Sequence, residues 1–236
     1  MLPRDFSLSH AAAMALIFLC WFSYSFVLAR ISRGSLNTQL AVIRRHWLMQ
    51  ATRRDAKPMD AILLGHVINS IAFFGSATLI VLAGLISSFA GIKAIHATVS
   101  ELHFITPKSL ELFALELAFL TLVLALSFFS FTYALRKLIY TNALIGALPD
   151  ASENCPAHDD LVAASSVVLS EAIKTFNFGI RGFYYAIAAL CLLISPAASI
   201  AVTALMTVIL VYRQLATPTA KAIRDYVEAA KALEPH

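Results

Sequence analysis

Apolar residues fill four long stretches of this chain almost without interruption, and polar residues gather between them. The stretches cover 8–29, 61–90, 110–133 and 183–212, the last broken by Ser195-Pro196. About 20 apolar residues suffice for a helix to cross a hydrocarbon layer of about 30 Å. Each stretch therefore predicts a transmembrane helix, and the longer ones predict tilt or protrusion. The first is too long for a signal-peptide core and no small-residue cleavage site follows it, which predicts an uncleaved span. Pro196 predicts a kink within one fourth span, with a re-entrant hairpin as the alternative.

Three further segments repeat apolar residues at helical spacing beside polar ones. Over 36–55, Leu36, Leu40, Ile43, Trp47 and Ala51 recur among Arg44, Arg45, Arg53 and Arg54, after Ser35 as an expected N-cap. A basic helix with a Trp on its apolar side suits the membrane interface. The segment 159–178 opens on Asp159-Asp160, which favour a helix N-terminus. The segment 218–233 follows Thr217-Pro218, a cap and a proline at the first helical position. The expected architecture is an all-α, polytopic transmembrane bundle of four spans with three amphipathic interfacial helices, forming one membrane domain over 1–236.

Composition strengthens this class. Only 14% of the 236 residues are charged while 59% are hydrophobic, too few charges to cover a soluble surface. No basic stripe with interleaved aromatics marks a polar domain, so nucleic acid is not an expected partner. Cys20, Cys155 and Cys191 show no paired spacing, and neither a disulfide framework nor a cysteine metal site is expected. The loop Glu153–Asp160 contains metal-ligand residue types, but their spacing fits no zinc pattern. No metal or cofactor is expected.

Charge also sets the expected orientation. Arg30, Arg33, Arg44, Arg45, Arg53, Arg54 and Lys57 lie between the first two spans, and Arg136, Lys137, Lys174 and Arg181 between the last two. With four spans these 11 face seven on the other side. The segment Arg30–Asp60 is therefore expected in the cytoplasm of a bacterial cell, beneath its cytoplasmic membrane. A re-entrant fourth segment would sharpen the bias to 15 against three; four simple crossings are nevertheless the expectation.

Two blocks of sequence carry a family resemblance. The first is Arg44-Arg45-His46-Trp47-Leu48-Met49, then Arg53-Arg54-Asp55, Asp60 and Asn69 through Thr78; the second is Phe176-Asn177-Phe178-Gly179-Ile180-Arg181-Gly182-Phe183-Tyr184-Tyr185, with Ser195-Pro196 after it. In this order they resemble the membrane family catalogued as domain of unknown function 599, found in bacteria and plants. The resemblance spans about 22–212. Some members carry an Arg before the Asn-Ser pair, where this chain has Ile68. The resemblance implies a membrane location and this helical fold, and no activity.

Polar residues inside a bilayer are costly and mark candidate sites. His66 and Asn69 are three residues apart on the second span and share a helix face. Glu116 lies on the third, a few residues inside its opposite end. Their depths differ too much for a direct acid–base pair. On the expected cytoplasmic side, His66, Asn69, Tyr133, Asn177, Arg181 and Tyr184 form a candidate polar cluster. Arg44, Arg45, Trp47, Arg53 and Arg54 form a candidate lipid interface. Against these stand ordinary roles: interfacial snorkelling for Arg181 and interhelical hydrogen bonds for His66 and Asn69. No nucleophile motif, phosphate loop or metalloprotease motif occurs, so no catalytic residue is nominated. The expected function is a binding or accessory membrane protein that engages anionic lipid headgroups or a membrane protein. The alternatives are a transporter or channel using His66, Asn69 and Glu116, and a lipid-modifying enzyme at the interface.

Overall fold

A computed structural model describes residues 3–31, 36–54, 58–103, 105–151 and 156–233, and every regular element among them is an α-helix. In chain order these are α1 (Leu8–Ile31), α2 (Leu36–Ala51), α3 (Pro58–Ala90), α4 (Ile92–Ser100), α5 (Leu110–Gly146), α6 (His158–Leu192), α7 (Pro196–Leu215) and α8 (Pro218–Leu233). Five helices, α1, α3, α5, α6 and α7, are long and apolar enough to cross a membrane. Ser35, expected as a cap, and Glu153 to Cys155 lie outside the described residues.

The four-span expectation therefore gives way to five helices of crossing length. The stretch 183–212 is not one kinked helix. Pro196 lacks an N–H and keeps Ser195 out of the helical region, so α6 stops and α7 starts afresh. Ser195 caps the new helix: its Oγ accepts the Ala198 N–H at 3.1 Å and its carbonyl accepts the Ser199 N–H at 3.1 Å. The amphipathic segment 159–178 is likewise no separate interfacial helix. It is the first half of α6, continuous with 183–192. The third span extends past 133 to Gly146, and α4 occupies what patterning left as a loop.

The described residues divide into two compact units, and α1, α3, α5, α6 and α7 each contribute to both. The first unit comprises Met1–Val27, Gly75–Phe129 and Phe178–Leu210. Its core forms around Trp21, which is fully buried with Ile17, Leu112 and Val123. The Trp21 ring stacks on Phe178 at 4.8 Å, and its Nε1–H donates to the Phe178 carbonyl at 3.0 Å. Gly182, one turn along α6, leaves the space that the indole fills.

The second unit comprises Leu28–Phe74, Ser130–Asn177 and Val211–His236. Here α2 packs against α8. Leu48, Ile71, Phe131, Leu138 and Val162 are fully buried, and the rings of Phe74, Phe131 and Phe176 meet at 5.7–5.9 Å. This unit's segments carry 14 of the 18 Lys and Arg of the chain.

Candidate functional site

Four polar constellations stand out, two in the first unit and two in the second. In the first unit a buried ion pair closes the α6–α7 turn. A helix end leaves its last carbonyls unsatisfied, and here Lys108 answers them. Its Nζ donates to the carbonyls of Leu193 at 2.9 Å and Leu192 at 3.3 Å, and to Glu116 Oε2 at 2.6 Å. The Thr106 N–H adds a bond to the Ile194 carbonyl at 3.1 Å. Glu116 is fully buried, and its Oε1 faces His10 Nε2 at 3.6 Å. The Ser7 N–H donates to His10 Nδ1 at 3.3 Å, and the Ser7 hydroxyl lies 2.6 Å from the same nitrogen. Beside this turn Asp5 Oδ2 and Oδ1 accept the N–H and the hydroxyl of Ser109, each at 2.7 Å. The Ser109 N–H, chiefly, holds the Asp5 carboxyl below its usual range.

Arg181, also in the first unit, is buried. One guanidinium nitrogen donates to Ser25 Oγ at 3.1 Å, and the group lies 4.7 Å from the Tyr24 ring centroid and 5.8 Å from that of Phe178. Among the described residues its Nε has no hydrogen-bond partner and no carboxylate pairs with it. Cation–π contacts of this kind are worth most when desolvated. Tyr184 is half-buried in the same unit.

In the second unit, Asp60 in the first turn of α3 binds the end of α2. Its Oδ1 accepts Trp47 Nε1–H at 2.7 Å and an Arg54 N–H at 2.8 Å. The carboxylate is buried while Arg54 is 46% exposed. Asp60, Trp47, Leu48, Leu64, Asn142 and Ile145 are among the residues around a cavity of about 210 Å³. On another side of α2 a groove of about 870 Å³ is lined by Arg45, His46, Arg53, Ser170 and Lys174, with Asp159 and Glu171. Lys174 Nζ is held by Glu171 at 2.7 Å. Arg45 and Arg53 are exposed, and among the described residues neither is in an ion pair. Arg44 turns inward to Ser170 Oγ at 3.4 Å, and burial lowers its pKa.

A family profile described as "Protein of unknown function, DUF599" matches residues 12–219. The chain belongs to that family. No curated protein and no solved structure matches it. Within this DUF599 protein, the residues nominated from sequence are distributed as follows. His66 and Asn69 are exposed on α3, away from buried Leu64 and Ile71. Tyr133 is 55% exposed, with Lys137 Nζ 4.6 Å from its ring centroid. Asn177 donates to Asn37 Oδ1 at 3.2 Å. These four belong to the second unit, whereas Arg181, Tyr184 and Glu116 belong to the first. Sequence reasoning passed over three residues that the geometry brings forward: Lys108, His10 and Asp60. Asp60 stood in the motif block, and its place just after Pro58 at a helix start was its signal. Lys108 and His10 had none.

Proposed function

We propose that this DUF599 protein is a five-crossing binding module of the bacterial cytoplasmic membrane, with its N-terminus outside and the α2 side in the cytoplasm. Its ligand is the anionic headgroup of a membrane lipid, held in the groove between α2 and α6. Five crossings place 15 Lys and Arg on the α2 side and leave Arg4, Lys93 and Lys108 on the other, the asymmetry that the positive-inside rule favours. In a strain lacking Cys20, Cys155 and Cys191, an impermeant thiol reagent on intact cells is expected to label Glu101→Cys and spare Arg53→Cys. The reverse pattern inverts the topology.

The observation that carries the binding reading is the pair Arg45 and Arg53, exposed on the wall of one groove and, among the described residues, in no ion pair. Guanidinium groups bind phosphate through paired, charge-assisted hydrogen bonds, and the Ser170 hydroxyl adds a neutral donor. A ligand that binds only the folded state stabilises it by about 2.7 kcal/mol at a hundred times its Kd. Moving the protein from phosphatidylcholine to phosphatidylglycerol nanodiscs is expected to raise Tm by roughly 5–10 °C at low salt. Arg45→Gln with Arg53→Gln is expected to remove most of that rise, and so is high salt. A rise that survives both changes rejects the groove as the headgroup site.

A further inference from the structure

The cavity behind Trp47 has a chemistry unlike that of the groove. It is lined mainly by Leu48, Leu64, Ile145 and other apolar side chains, and Asp60 is the one acidic residue among its lining residues. Asp60 Oδ1 is occupied by Trp47 and Arg54. Its Oδ2 is buried and, among the described residues, has no hydrogen-bond partner. An ionised carboxylate only accepts, and a buried acceptor left unmet is unfavourable. The site thus calls for a donor. Arg54 is 46% exposed to solvent, so its attraction is screened and the carboxylate keeps capacity for a second cation. The Trp47 indole is an aromatic group of the kind that favours ammonium groups, and Asn142, another lining residue, carries an amide acceptor.

Size narrows the ligand further. About 210 Å³ is somewhat more than the roughly 150 Å³ that holds benzene in an apolar cavity. That suits a short apolar stem and excludes a whole lipid. From the buried acceptor, the apolar walls and this volume, we infer that the cavity of the second unit binds a primary ammonium on an apolar stem, with Asp60 Oδ2 as its acceptor. A free alkylamine and the amine of a phosphatidylethanolamine headgroup present the same group. The inference does not depend on the anionic-headgroup groove, whose cations lie on different residues.

The chain has two tryptophans, Trp21 and Trp47, so 5-fluorotryptophan labelling gives two ¹⁹F resonances. Trp47→Phe assigns them, and Trp21 is the internal control. In phosphatidylcholine nanodiscs, hexylammonium is expected to shift the Trp47 resonance saturably and leave that of Trp21 in place, while hexanoate does neither. Asp60→Asn keeps an acceptor for Trp47 and Arg54 but puts an amide donor where Oδ2 was. It is expected to weaken hexylammonium binding at least about tenfold, the scale of a lost charge-assisted bond. Ala61→Leu, at an exposed lining position, narrows the cavity with the carboxylate intact and is expected to weaken binding as well.

Phosphatidylethanolamine in the nanodisc then identifies the source. If it moves Trp47 to the bound position unaided, the ammonium is a headgroup; if hexylammonium alone moves it, the ligand is a free amine. A Trp47 resonance that ignores both overturns the inference. So does one that responds equally to hexylammonium and hexanoate, or whose response survives Asp60→Asn.

Discussion

Lys108→Met is expected to lower the melting temperature in detergent by roughly 6–20 °C. The substitution keeps a long, unbranched stem and removes only the charge and its donors. Three acceptors then go unmet together: Glu116 Oε2 and the carbonyls of Leu192 and Leu193. The carboxylate matters most, because Glu116 is fully buried and its remaining neighbour is His10 Nε2 at 3.6 Å. Breaking a buried pair by removing one partner typically costs about 3–5 kcal/mol, and 1 kcal/mol moves Tm by about 2–4 °C in a chain of this size. Removing both charges is a different matter. Lys108→Met with Glu116→Leu is expected to recover most of the loss, since apolar replacement of a whole buried pair is often neutral. A double-mutant cycle in circular-dichroism melts measures the coupling. A single variant within about 1 °C of the parent would mean that Lys108 does not hold the turn.

Gly182→Ala carries the second largest expectation, and its sign is informative. Helix propensity alone favours Ala over Gly by about 1 kcal/mol, and no described glycine has a positive φ to protect. Packing reverses this. A Cβ on Gly182 would overlap Ser127 Oγ and stand 2.5 Å from Trp21 Cζ2 and 2.9 Å from Cη2. Neither neighbour yields easily. Ser127 Oγ donates to the Val123 carbonyl at 3.0 Å, and Trp21 is fully buried, stacked on Phe178 and bonded to its carbonyl. Overpacking of this kind costs about 1–3 kcal/mol, and the variant is expected to melt several degrees below the parent. Ser127→Ala removes one of the two obstructions and is expected to return part of the loss. A Gly182→Ala protein as stable as the parent would show that α1, α5 and α6 do not meet closely at this point.

The elements themselves were largely legible, because apolar run length reports a span directly. α1 and α3 follow their expected bounds within a few residues. Over 183–212, Pro196 taken alone reads as a kink. With Ser195 before it, the pair is a cap followed by a first-turn proline, which is a start signal. Once α7 starts there, 159–178 must continue into 183–192 to give α6 the length of a span.

The polar sites were legible only in part. His66 and Asn69 invited an inward reading because polar groups are costly in lipid. The phase of α3 was there to be read: Leu64 and Ile71, seven apart, are the buried positions, and His66 and Asn69 fall off that stripe. Arg181 and Asn177 stand out in the sequence as polar residues at the expected cytoplasmic start of the last apolar stretch. What pairs with each is set by residues some 140 or more positions away, Ser25 and Asn37. Glu116 stood out by its apolar surroundings, but its partner Lys108 lies in a loop and His10 is over a hundred residues distant. Sequence spacing carries no information about such contacts. The basic character of α2 was plain, whereas the separation of Arg45 and Arg53 from inward-turned Arg44 and Asp60-bound Arg54 needed the fold.

Native mass spectrometry of the protein released from bacterial membranes in mild detergent tests the central claim most directly, by counting the lipids that stay bound. The headgroup-binding account predicts at least one anionic phospholipid retained on the parent protein and lost from Arg45→Gln with Arg53→Gln. An equal complement on both proteins, or none on either, would contradict it.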